Sequence, residues 1–255
     1  MVLKNVKQYV MFGHNHLFGD WLEIIHATGG ILKKVVQNIP ESSDINRLSL
    51  KQRIERLQDP QFNPHHVNQD KPIEIQFLEN FKPEADEYYL MGFTGFKKAT
   101  LEKQLVEKFA LEFSILIHPT AIISPTAFLS PGVIINSGTI IASGVTIKEH
   151  SSINKGVIIG HDTTVEEYVV IQPGVKIAGH VKVGVGTVVG IGSVIIEDIQ
   201  IGKYAMIAAG AVVIKNVPDY TLVAGVPAIP KKRINDFLID TVDIDQKTLG
   251  YDSTP

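Results

Sequence analysis

Residues 153–165 read "INKGVIIGHDTTV", and they place a histidine and an aspartate, His161 and Asp162, side by side among β-branched aliphatics, glycine and threonine. A neutral imidazole can take a proton from an attacking amine or hydroxyl near pH 7. A carboxylate beside it can hold the other ring proton, fix the tautomer and stabilise the imidazolium. The chain contains no cysteine, which excludes thiolate nucleophiles, thiolate metal ligands and disulfides together. Other histidines offer less. His14 and His16 lack a third ligand at a suitable spacing, and His65 and His66 sit in the turn-rich run "DPQFNPHHVNQDKP".

The element that must carry His161 is set by a period. Every sixth residue from Ile117 through Ile123, Leu129, Ile135 and onward to Val213 is aliphatic, and four places after each comes a small or β-branched residue such as Ala121, Val133, Thr139, Ser151 or Thr163. Neither a helix nor a simple strand repeats every six residues. A chain that turns a corner every six residues does: three sides make one triangular coil, and stacked coils bury a continuous aliphatic core. Each buried aliphatic contributes about 1.5–3 kcal/mol, against about 1–2 kcal/mol of backbone entropy per ordered residue, so many coils are needed. In this register Ile159 and Thr163 point inward and His161 and Asp162 stand on an outer corner. The unbroken phase leaves no inserted loop to cover them.

The first part of the chain follows another rule. "VKQYVMFG" reads as a buried strand, "GDWLEIIHATG" as a helix stopped by glycine, "LKKVVQNI" as a second strand, "NRLSLKQRIERLQDP" as a helix, and "EADEYYLMGF" as a strand leading into the amphipathic helix "KKATLEKQLVEKFALEF". Strand and helix in alternation imply a small parallel, Rossmann-like α/β sheet. The expected division is an α/β domain over 1–112, a β-helix over 113–229, and a C-terminal helix and tail over 230–255, with "KKR" at Lys231–Arg233 either a solvated helix start or a basic contact for a ligand's phosphates. Lys and Arg number 24 against 27 Asp and Glu, a formal charge of −3 that gives no reason to expect nucleic acid or an anionic membrane as partner. The N-terminal apolar run is too short for a signal h-region, which leads to the expectation of a cytoplasmic protein without membrane insertion.

The hexapeptide repeat, its opening "IHPTAIISPTAFL", the "GHD" coil and the exit "AGAVVIKNVPDYTLVAGVPAIP" resemble the left-handed β-helix acyltransferases. With the preceding α/β segment, the chain resembles the sialic acid O-acetyltransferase and UDP-amino-sugar N-acetyltransferase family of bacterial surface-glycan pathways. The resemblance implies left-handedness, acetyl-CoA as co-substrate, a nucleotide-sugar or sugar acceptor, a homotrimer, and no metal. It implies His161 as catalytic base with Asp162 raising its basicity, and Asn154 at a further family position. Acetyl-CoA would lie between neighbouring β-helices against Val170, Gly179, Ile191 and Ala209. Val170 departs from the histidine often found there in the amino-sugar enzymes. Gly179 lies one coil of eighteen residues beyond His161 and is expected to leave room for the ligand. In "FGHNHLFGD" only Gly13 matches the family's glycine-rich turn; His14, Asn15 and His16 replace small residues, so the segment is either a divergent structural turn or one that meets Gly92 of "MGFTG" in an acceptor pocket beyond the strands' carboxyl ends.

Other functions on this fold remain to be weighed. The zinc-dependent carbonic anhydrase type needs three converging histidines, and His150, His161 and His180 are spaced eleven and nineteen residues apart, without a close pair within one coil. A non-catalytic trimeric scaffold would not need the "HD" pair. An acetyltransferase for a non-sugar acceptor such as serine is the nearest rival, although serine enzymes of this fold look all-helical before the repeat. Whether nitrogen or oxygen is acylated, and whether the acyl group is acetyl, stay open.

Overall fold

The computed structural model describes residues 6–15, 17–38, 48–59, 61 and 72–234. These divide into two compact units: Met1–Phe93 with Glu102–Pro119, and Thr94–Leu101 with Thr120–Pro255. Among the described residues, no helix is long and apolar enough to cross a membrane.

The first unit is built on four parallel strands, β1 (Gln8–Phe12), β2 (Ile31–Gln37), β3 (Glu74–Phe77) and β4 (Glu87–Met91), in the order β3-β2-β1-β4. β1 and β4 pair without a register shift, so Phe12 and Met91 end side by side. Helix α1 (Phe18–Ala27) buries Trp21, Leu22, Ile24 and Ile25, the residues at helical spacing in its sequence. Helix α2 (Leu50–Gln58) starts in a capping box between Ser49 and Gln52, and α3 (Lys98–Phe109) follows β4. The sequence reading did not anticipate β3. Its residues Glu-Ile-Gln-Phe sit at the sheet edge and bury almost nothing, so no apolar pattern marks them. The expected loop around His65 and His66 lies outside the described residues.

The second unit is the stacked coil. Two-residue strands recur every six residues from Ile122–Ile123 to Val212–Val213, and each pairs in parallel with the strand eighteen residues along, as Ile158 does with Lys176 and Thr146 with Thr164. Three sheets result. A first face carries Ile122, Ile140, Ile158, Lys176, Val194 and Val212 outward, a second Phe128, Thr146, Thr164, Lys182 and Gln200, and a third Ile134, Ser152, Val170, Val188 and Met206. Beyond each turn the inward aliphatics close the core: Ile141, Ile147, Ile153, Ile159, Val165, Ile171 and Val189 are all buried. The third residue after each of these is a left-handed corner. Glycine fills many of them, and His150, Asp162, Tyr168, His180, Asp198 and Tyr204 take the rest at φ of 52 to 62°. Polar and aromatic residues at these corners therefore stand outside the coil's own interior, His150 among them although other side chains bury it.

Interior hydroxyls tie one coil to the next. Ser151 Oγ donates to the Glu166 carbonyl, Thr163 Oγ1 to that of Ala178 and Thr187 Oγ1 to that of Gly202, and each of these oxygens also accepts from a backbone N–H one coil on. This is why small hydroxylic residues stand in the inner column without a buried polar group being left unpaired. The final coil is shorter, pairing Met206 with Leu222, and the antiparallel strands Thr221–Ala224 and Ile229–Arg233 close the end. Lys231–Arg233 is thus strand, not the start of a helix, because its backbone is taken by Thr221 and Leu222. Residues 235–255 lie outside the described residues.

The corner between the second and third faces is aromatic. Phe96 meets the rings of Tyr168 and Tyr204 edge-on at 5.5 and 5.1 Å, and His150 stacks on Tyr168 at 5.7 Å. The buried ammonium of Lys98 donates to His150 O at 3.0 Å and to Ser152 Oγ at 3.3 Å. Burial, with the Lys98 charge beside it, pushes the His150 imidazole down to about 3. The unfolded chain takes up a proton at His150 below about 6.5, whereas the folded chain does not until about 3, so stability is lost as pH falls through that window. The expected loss from this residue between pH 7 and 5 is about 2 kcal/mol, measured by urea unfolding at both pH values, and it should shrink in His150→Asn.

Candidate functional site

The corner joining the first face to the second is built from residues stacked at eighteen-residue intervals: Ser143 and Gly144, His161 and Asp162, Gly179 and His180, Glu197 and Asp198. Backbone bonds fix their heights, with Asp162 N donating to Ser143 O at 2.9 Å, His180 N to His161 O at 2.9 Å and Asp198 N to Gly179 O at 3.2 Å. Thr163 anchors the corner from inside the coil through its bonds to Ala178 O and Val181 N. His161 and Asp162 are both about half exposed, as the register requires, and His161 Nδ1 lies 3.0 Å from Asp162 Oδ2. A proton on Nδ1 is thereby held by the carboxylate, and the lone pair of Nε2 points away from it.

Two glycines make this pairing possible. A Cβ on Gly144 would come within 2.4 Å of Asp162 Oδ1, and one on Gly179 within 2.7 Å of His161 Cε1 and Nε2. The carboxylate leans across the coil before and the imidazole across the coil after. The His161 ring therefore lies against Gly179, where the sequence led to the expectation of room for a ligand. Across that glycine His161 Nε2 comes within 3.8 Å of Glu197 Oε1, and the His161 and His180 rings meet edge-on at 4.9 Å. His180 and Glu197 were missed as partners of His161. The signal is present in the numbers: one coil plus one residue, and two coils, from His161.

The other expected residues scatter. Asn154 is buried on the preceding corner, between the third and first faces, where its amide oxygen accepts from Lys155 N at 2.8 Å. Ile191 and Ala209 stack one coil apart on that same corner, and Ile191 is 54% exposed. Val170 is only 2% exposed in the third face, so it offers a ligand little surface. In the first unit Gly92 and Gly13 do meet: Gly92 N donates to Phe12 O at 2.7 Å, and a Cβ on Gly92 would reach within 1.9 Å of Gly13 O. Asn15 uses its side-chain oxygen on Leu17 N at 2.8 Å, which shapes the start of α1. His14 is half-buried beside it, and His16 lies outside the described residues. A cavity of about 460 Å³ in this unit is lined by Glu87, Tyr89, Phe109 and Leu111–Ser114, toward the amino end of β4 rather than at Gly13 and Gly92.

Solved structures share this architecture. The acetyltransferase domain of PglB from Neisseria gonorrhoeae superposes with a TM-score of 0.71 at 20% identity, over 88% of this chain and 100% of that one. The chain has the left-handed β-helix acetyltransferase fold. A variant of perosamine N-acetyltransferase from Caulobacter crescentus, in complex with CoA and GDP-perosamine, matches with a TM-score of 0.69 at 22% identity over 88% of this chain and 97% of that one. WeeI from Acinetobacter baumannii matches with a TM-score of 0.69 at 18% identity, over 88% and 99%. No family model and no curated protein matches the sequence. The α/β unit and the β-helix are thus found together in these structures, since the matches span nearly the full length of each.

Gly179 has no left-handed φ, so alanine suits its backbone, and the atoms nearest the added methyl are those of the His161 ring. Gly179→Ala is expected to move the His161 Cε1–H resonance in NMR spectra by turning the ring from Glu197, with the thermal midpoint shifted by only a few degrees, about what 1 kcal/mol produces.

Proposed function

We propose that the protein transfers the acetyl group of acetyl-CoA to the amino group of a nucleotide-linked sugar, with His161 as general base. The observation that carries the reading is the His161–Asp162 pair on an exposed β-helix corner, with the carboxylate 3.0 Å from Nδ1 and Nε2 left to face an acceptor. Nε2 removes the proton from the acceptor nitrogen as that nitrogen attacks the thioester carbonyl carbon. The tetrahedral intermediate then expels the CoA thiolate, which takes the proton back from the imidazolium, so the base is restored in each turnover. Asp162 holds the ring in the tautomer that leaves Nε2 unprotonated. Gly179 serves the base by giving its ring a place to lie. Ile191 and Ala209 are the residues of the third-to-first corner offered to the pantetheine arm.

The choice of acceptor is supported by the likeness to the perosamine enzyme bound to CoA and GDP-perosamine, and by the α/β unit, whose strands β1 and β4 converge at Gly13 and Gly92. A parallel sheet binds ligands beyond the carboxyl ends of its strands, so the nucleotide is assigned there, with a place in bacterial surface-glycan synthesis. A homotrimer fits the same reading. The first face exposes the apolar residues Ile122, Ile140 and Ile158 and, beyond Lys176, Val194, between 65% and 36% exposed, which a neighbouring β-helix would cover while walling the groove beside His161.

His161→Ala is expected to lower kcat at least ~100-fold with acetyl-CoA affinity little changed, because a base acts in the transition state. Asp162→Asn should lower it less. The assay is CoA release with acetyl-CoA and a panel of nucleotide-linked amino sugars; near wild-type turnover in His161→Ala would remove the base from the mechanism, and transfer to serine alone would favour the rival acceptor. Ile158→Glu places a charge on this face and is expected to convert the trimer to monomer in sedimentation, with activity lost alongside. A wild-type chain that sediments as a fully active monomer would overturn the assembly.

A further inference from the structure

We propose that His161, His180 and Glu197 bind a divalent transition-metal ion, zinc above all, and that its binding blocks acetyl transfer. One ligand atom from each residue lies within 4.8 Å of the others, so a single ion can be reached by all three through small rotations of exposed side chains. Nε2 of His161 and Oε1 of Glu197 are already 3.8 Å apart, close to the spacing of about 3.3 Å that two ligands take around a tetrahedral zinc.

Three further features belong to such a site. The backbone ladder between coils holds the positions at fixed heights, through His180 N on His161 O and Asp198 N on Gly179 O. Gly179 removes the side chain that would otherwise stand between His161 and Glu197 in the stack. Asp162, 3.0 Å from Nδ1 of His161, supplies the outer carboxylate that orients a ligating histidine and directs its free lone pair at the ion. The electrostatics agree, since the stacked corner carries Asp162, Glu197 and Asp198 against a single cation, Lys215, one coil beyond Glu197. Two imidazoles and a carboxylate suit zinc and its neighbours in the first transition row better than calcium or magnesium, which prefer oxygen alone. Three protein ligands leave the outward position of a tetrahedron to water.

The consequence for activity rests on His161 being the base. A cation on Nε2 takes the lone pair that must receive the acceptor's proton, so the ion is an inhibitor and not a cofactor. The site itself is independent of that reading, and the test separates them. The full-length chain is stripped with a chelator and titrated with Co²⁺, followed by its visible d–d bands, and then with Zn²⁺ in competition. The expected result is saturable binding of one ion per chain, at least tenfold weaker in His180→Ala and in Glu197→Gln, with CoA release falling over the same range of Zn²⁺ and recovering on chelation. Absence of saturable binding in the wild-type chain, or equal binding in both variants, would overturn the site. Saturable binding that these variants weaken, accompanied by undiminished acetyl transfer with the ion in place, would establish the site and overturn His161 as base.

Discussion

A strand of two residues has no stability of its own. Each one in the β-helix exists because the same two positions, eighteen residues before and after, hydrogen-bond to it from the neighbouring coils, as Ser152 and Ile153 are held between Ile134 and Ile135 on one side and Val170 and Ile171 on the other. The coil is therefore stable only as a stack, and the stack only while the phase is kept. An insertion of one residue would turn every later aliphatic off the core. The inward columns, the buried hydroxyls and the left-handed corners all follow from this requirement.

The requirement also decides where chemistry can be placed. Inward positions are closed to anything but aliphatics and small hydroxylic residues. Outward strand positions alternate with them on flat faces. Corners remain, and there a side chain is free of the core while its backbone is fixed by bonds to two other coils. His161, Asp162, His180 and Glu197 are all corner residues, and their separation depends on the coil spacing rather than on any flexible loop. Positioning of this kind needs little reorganisation when a ligand arrives.

Within the stack, neighbours along a corner are as important as neighbours along the chain. Gly144 and Gly179 lie seventeen residues before and eighteen after His161, yet they determine how its ring and the Asp162 carboxylate lie. The aromatic corner shows the same logic with bulk in place of space: Tyr168 and Tyr204 flank Phe96, which comes from a segment far earlier in the chain. In both cases a column of side chains, not a contiguous motif, is the structural unit.

The sequence alone determined the β-helix, the inward columns and the exposure of His161 and Asp162, because a period of six repeated over many coils leaves no other way to bury the aliphatics. It also located α1, α2, α3 and three of the four strands of the first unit, where apolar spacing is strong. It did not show β3, which buries almost nothing, or the strand at Ile229–Arg233, whose polar residues belong to a sheet only because Thr221–Ala224 offers an open edge. Nor did it show that His180 and Glu197 join His161, or that the imidazole lies against Gly179. Those relations run between coils and depend on side-chain direction, which a one-dimensional period does not contain. The tertiary structure decided them through the stacking distance, the left-handed turn at each corner, and the absence of a side chain at Gly179, the position between His161 and the Glu197 carboxylate two coils away.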